Sequence, residues 1–127
     1  LTPTARSKQE LQKRGYRVAI VEHWNAFAKI RQDLFGCIDI LAVKEGETLL
    51  AVQVTSNAHA AARIAKSQEF AILWNTTGNR FVLHAWAPLR TAGTKKQRRY
   101  ELKEILLPVL SVFQGAVEDA EWDDESL

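Results

Sequence analysis

Two polar residues interrupt runs that are otherwise apolar: Asp39 in Cys37 to Val43 (CIDILAV) and Gln53 in Leu49 to Thr55 (LLAVQVT). Acids and amides are costly inside covered strands, so each needs a partner or a task. Between the runs, Glu45-Gly46-Glu47 marks a hairpin turn. If the chain folds back about Gly46, Val43 faces Leu49, Leu41 faces Ala51, and Asp39 faces Gln53. The two side chains then share one sheet face with β-carbons ~5 Å apart, where they can grip one ion together. Thr55 falls on that face too. Oxygen-only ligands of this kind suit Mg²⁺ or Mn²⁺, ions that polarise phosphodiesters and lower the pKa of a bound water. The same residues have a structural alternative, in which acid and amide bond to one another or cap loop amides.

The elements that must position these residues follow from the pattern of the chain. Its 127 residues suit one domain, and a hydrophobic share of 46% with 25% charged residues is ordinary for a folded one. Thr4 is expected to cap a helix running to about Arg14, with Leu11 as its apolar anchor and Gly15 as its stop. Tyr16 to Glu22 reads as a first strand, Trp24 to Phe35 as a long polar loop, and the two apolar runs as the next strands. Ser56 or Asn57 starts a second helix to about Thr76, burying Ala61, Ile64, Ala65, Ala71 and Ile72. Arg80 to Trp86 and Tyr100 to Leu107 are further strands, and Pro108 opens a last helix. The expectation is an α/β fold with an α-β-β-β-α-β core and a mixed central sheet covered by helices. Residues 1–117 form the single domain and 118–127 an acidic C-terminal tail.

A net charge of +2 conceals a separation, because the last ten residues carry six acids and no base. Without them, 17 bases stand against 9 acids, a balance that attracts phosphate backbones through counterion release. The densest basic segment runs through Arg90, Lys95, Lys96, Arg98 and Arg99 and reads equally as a solubilising tip or a DNA grip. One cysteine and three scattered histidines exclude an internal disulfide and fall short of a structural zinc site. No apolar run approaches the ~20 residues of a membrane span, so a soluble, cytoplasmic protein is expected. The sequence contains no methionine, so residues are expected upstream of Leu1. Trp24, Trp74, Trp86 and Trp122 are assigned to the core or to half-buried packing, with base stacking as the alternative for Trp24.

Helix, three-strand meander and second helix, with Gly36 to Val43 (GCIDILAV) followed by Leu50 to Ser56 (LAVQVTS), resemble the PD-(D/E)XK nuclease superfamily. Within it, the segment is similar to Holliday junction resolvases and small phage nucleases, over roughly Thr4 to Trp86. The resemblance implies a restriction-endonuclease-like fold, Asp39 as the metal-binding aspartate, and Gln53 where the family usually has glutamate. Thr55 replaces the family's lysine, and Lys66 on the second helix is the candidate substitute, with Arg63 clamping phosphate. Glu10 is the nearest candidate for an extra carboxylate on the first helix. Asp33, on a loop that overhangs the same sheet end, ranks ahead of Glu22 as an assisting ligand. His59, at the start of helix two, is a candidate for proton transfer.

These readings converge on a Mg²⁺- or Mn²⁺-dependent DNA endonuclease, with branched DNA among its substrates. Lys29, Arg31, Arg63, Lys95, Lys96, Arg98 and Arg99 would contact phosphates. The implied partner besides DNA is a second copy, since symmetric cutting needs paired sites. Two rivals use the same fold: a DNA-binding module that has lost its ion, and a protein-interaction subunit.

Overall fold

The structure is a computed structural model that describes residues 1–89 and 99–109. Lys95, Lys96 and Arg98, the helix expected after Pro108, Trp122 and the acidic tail lie outside the described residues. Two helices and a mixed five-stranded sheet make an α/β fold, in the order α1 (Pro3–Lys13), β1 (Arg17–Ile20), β2 (His23–Asn25), β3 (Ile30–Gln32), β4 (Ile40–Val43), β5 (Leu50–Ser56), α2 (Ala60–Thr76), β6 (Arg80–Pro88) and β7 (Tyr100–Leu107). The sheet runs β1-β4-β5-β6-β7, with β2 and β3 forming a separate two-stranded arm. β5 and β6 are parallel, joined across one face by α2, and the other neighbours are antiparallel. No helix among the described residues is long and apolar enough to cross a membrane.

Alternation along the strands sorts the core onto two faces. Leu50 and Val52 of β5 join Leu11 of α1, Ile40, Ala42 and Val82 on one face. Ala51 joins Phe81, Leu83, Ala85 and Ala71 of α2 on the other, with Ile64, Phe70 and Trp74 packed against them. Both faces are thereby covered, which is why the inner strands carry apolar residues on each side. The β4–β5 register matches the expectation, pairing Leu41 with Ala51 and Ala42 with Leu50. Gly46 has φ +81° at the turn, a conformation that costs glycine nothing.

Four details differ from the sequence reading. Thr2, not Thr4, caps α1: its side chain accepts from the Ala5 amide and Pro3 takes the first helical position, where its missing N–H costs nothing. α2 buries Ala60, Ser67 and Ala71, leaving Ala61, Ala65 and Ile72 exposed, so the helix is turned from the expected phase. The expected polar loop after β1 contains the β2–β3 arm, whose strands are three residues each. Trp24, on that arm, is 59% exposed, whereas Trp74 and Trp86 are half-buried as expected, donating to the Arg80 carbonyl and the Ser7 hydroxyl.

Candidate metal centre

Asp39 lies one residue before β4, 5% exposed, at the sheet end where β1, β4 and β5 meet. Its backbone N–H donates to the Val52 carbonyl at 2.9 Å and its carbonyl accepts from Val21 at 2.9 Å, so the residue is fixed between two strands. Strand pairing stops at Ile40–Val52, and because the Asp39 N–H also addresses Val52, Asp39 is displaced from the expected rung opposite Gln53. Its Oδ2 instead accepts from the Val54 N–H at 2.7 Å.

Backbone pairing explains why two more acids meet it. Leu34 and Ile38 exchange both backbone hydrogen bonds, closing a tight loop whose next rung outward is Asp33 and Asp39. A rung of that parity brings side chains closer than a hydrogen-bonded one. On the β2–β3 arm, His23 pairs with Gln32, and the next rung toward the body is Glu22 and Asp33. Asp33 thus belongs to two rungs, one with each of the other acids. One carboxylate oxygen from each of Glu22, Asp33 and Asp39 lies within 4.8 Å of the others. Acids at this spacing add repulsion to the cost of burying the Asp39 carboxylate. The Asp39 carboxyl accordingly rises to about 8, chiefly through burial, against the pull of the Val54 N–H, with Asp33 and Glu22 raising it further.

The surroundings are cationic. Arg31 Nη1 stands 3.5 Å from Glu22 Oε1, and Thr4 donates to the same oxygen at 3.1 Å. Lys66 lines an open cleft of about 570 Å³ with Asp33, Arg31, Phe35 and His23. Phe35, at φ +56°, stacks on Phe70 of α2 with ring centroids 5.3 Å apart and so ties the acidic loop to that helix. The Cys37 thiol is buried beneath, pushed up to about 11 by that burial, and is no nucleophile at neutral pH.

The other expected residues fall elsewhere. Gln53 is 1% exposed and its Oε1 accepts from Ser67 Oγ of α2 at 2.5 Å, while its Nε2 has no hydrogen-bond partner among the described residues. A half-turn of the carboxamide would let Nε2 donate to Ser67 and leave the oxygen as a free ligand atom. Thr55 is buried beside Ala85 of β6. Glu10 pairs with Arg14, which reaches Glu104, so Thr4 rather than Glu10 is the α1 residue at the acids. Lys29 stands at the arm's turn, Arg63 is half-buried on α2, and Arg99 is exposed before β7. His59 is exposed and its Nδ1 is 3.2 Å from the Ser56 hydroxyl.

The sequence reading missed a polar network on the α1 face. His84 Nδ1 lies 2.8 Å from Ser7 Oγ and its Nε2 lies 2.7 Å from Glu104 Oε2. The order serine, histidine, carboxylate is that of a hydrolytic triad, but Ser7 and His84 are both 0% exposed and no substrate reaches them. The network fastens α1 to β6 and β7. Comparison with protein-family models, with curated proteins and with solved structures finds no match to this chain.

Proposed function

We propose that this chain is a DNA endonuclease of restriction-endonuclease-like fold that works with Mg²⁺ or Mn²⁺. The observation that carries the reading is the convergence of Glu22, Asp33 and Asp39 within 4.8 Å at the open end of the sheet meander. The donor set is all oxygen and the Asp39 carboxyl is held at about 8, so a bound divalent cation would offset the cost of burying that carboxylate and the smaller repulsion from Asp33 and Glu22. When bound, such an ion polarises a phosphodiester and lowers the pKa of a water. Net hydrolysis adds that water across a P–O bond, leaving a phosphate monoester and a hydroxyl.

The chain's own residues do the rest. Asp39 holds its position through three backbone hydrogen bonds, two from its main chain and one to its carboxylate. Lys66 lines the same cleft as Asp33, where its ammonium would suit negative charge developing on the phosphoryl group. Arg31, which lines that cleft, would take a flanking phosphate, with Lys29 and Arg63 as further candidates. Gln53 remains a ligand only if its carboxamide turns at Ser67. Supercoiled plasmid, single-stranded DNA and a four-way junction, incubated with Mg²⁺ or Mn²⁺, test the reading. Asp39→Asn, Asp33→Asn and Glu22→Gln are each expected to lose about 100-fold or more of the cleavage rate. Cleavage that survives all three sinks it.

The second reading is a DNA-binding module on the same fold, favoured by the engagement of Gln53 with Ser67 and the burial of Thr55. Salt-sensitive DNA binding with no cleavage under any divalent cation decides for it.

A further inference from the structure

The β2–β3 arm exposes more apolar surface than its size warrants. Phe27, at its tip, is 100% exposed, Trp24 is 59% exposed and Ile30 is 49% exposed. Single exposed apolar side chains are ordinary, but Trp24 and the tip residue Phe27 put two large exposed rings on one short hairpin, while Ile30, paired with Asn25, lies on the ribbon's other face. The tip is built and not loose. Asn25 Oδ1 accepts from the Phe27 and Ala28 amides at 3.0 and 3.1 Å, and Asn25 Nδ2 donates to Gln32 Oε1 at 3.2 Å. Lys29 takes φ +55°, a conformation that disfavours every side chain but glycine's.

Charge settles what fits this patch. Residues 23–32 contain His23, Lys29 and Arg31 and no acid, with Asn25 and Gln32 supplying amides. Trp24 and Arg31 are cross-strand partners, so indole and guanidinium share one face of the ribbon. That guanidinium also stands 3.5 Å from Glu22, so the Trp24 face adjoins the three acids. Flat rings interleaved with Lys29 and Arg31, on a ribbon whose own residues 23–32 carry no acid, complement a polyanion carrying flat π-faces. An apolar protein partner uses the rings and has no need of the cations, whereas an anionic bilayer would use both, so binding of phosphatidylserine vesicles that is lost with Trp24→Ala, beside an unchanged DNA ratio, overturns the DNA reading of this arm. In a continuous duplex the base faces are already stacked, whereas an unpaired base offers its face.

We infer that the β2–β3 arm is a base-stacking finger, with Trp24 and Phe27 receiving unpaired bases of an interrupted DNA duplex while Lys29 and Arg31 hold the adjoining phosphates. This rests on the proposed action on DNA and names its substrate class: duplexes broken by a loop, gap or junction beside the phosphate to be cut.

The experiment measures affinity, in Ca²⁺, for a continuous duplex, the same duplex with a short unpaired loop, and a four-way junction. 2-Aminopurine in the loop reports stacking by its quenching. The wild-type chain is expected to prefer interrupted DNA and to quench the probe. Trp24→Ala and Phe27→Ala are each expected to reduce the interrupted-to-continuous affinity ratio by about 5- to 100-fold, the range of a lost base–aromatic stack, and to abolish the quenching. Phe27 makes no buried contact, so its variant folds as the parent does, and matched thermal melts check both. An unchanged ratio, or an equal loss on continuous duplex, overturns the finger. A dimer that becomes monomeric on Trp24→Ala overturns it in favour of a self-association surface. Cleavage that depends on Asp39 beside an unchanged ratio leaves the nuclease standing and the finger refuted. A lost ratio in a protein that never cleaves does the reverse.

Discussion

Burial lifts the Asp39 carboxyl from 3.8 to about 8, and the direction of that shift fixes its effect on stability. Between those values the folded chain holds a proton that the unfolded chain has released, so stability falls as pH rises across the window. The metal-free protein is therefore expected to melt at progressively lower temperature from about pH 4 to about pH 8. Asp39→Asn should flatten that decline, and Mn²⁺ should raise the melting temperature of the parent alone, through a stabilisation of about 2.7 kcal/mol at a hundredfold excess over its Kd. Differential scanning fluorimetry across pH, with and without Mn²⁺, reads all three. Asp39 was legible as chemistry because an acid in an apolar run has few uses. Asp33 and Glu22 were legible only as neighbours, since the pairing that makes them converge runs through a bridge and an arm too short to announce themselves. Phe27 and Ser67 gave no signal: a lone phenylalanine in a polar stretch and a serine on a helix are both unremarkable until their partners are placed.

At the scale of elements, the Ser67–Gln53 bond joins the apolar contacts of Ala71, Phe70 and Trp74 in fixing the rotational setting of α2. Ser67→Ala strands both ends of the Gln53 carboxamide in the core and is expected to cost about 1–3 kcal/mol. Adding Gln53→Leu should recover most of that loss, because an apolar pair leaves nothing unsatisfied. Urea midpoints of the three proteins check this. β7 is fastened differently: the His84 and Arg14 contacts bring the Glu104 carboxyl down to about 2. Its unfolded counterpart takes a proton first, so this contribution is whole above 4.5 and disappears as pH falls from there through about 2. Solvent reaches a third of that side chain and keeps the effect modest. Glu104→Gln should narrow the drop in urea midpoint between about pH 5 and pH 3. The β4–β5 register and the β7 span followed from apolar runs and a glycine turn, strong signals for strands. The helix phase did not, because alanines on every side of α2 leave its apolar stripe undefined until Gln53 selects Ser67.

For the whole molecule, the charge separation predicts autoinhibition by simple repulsion. Deleting residues 118–127 removes six acids, and DNA affinity at low salt should rise several-fold with a steeper dependence on salt. Fluorescence anisotropy across a salt series measures both, and no change in slope would show that the tail lies beyond a Debye length of the bound DNA. One feature of the chain's path bears on how such a protein changes over time. Glu22 and Asp33 stand immediately on either side of the arm, like two posts of a gate, so every residue from 23 to 32 hangs from a fixed doorway. If the arm is the proposed finger, lengthening, shortening or replacing that insert would alter which molecules are admitted while the doorposts keep their spacing. Under the proposed function, selectivity and reactivity would be carried by separate stretches of one short peptide, and a laboratory graft of a foreign hairpin between those posts would redirect the protein.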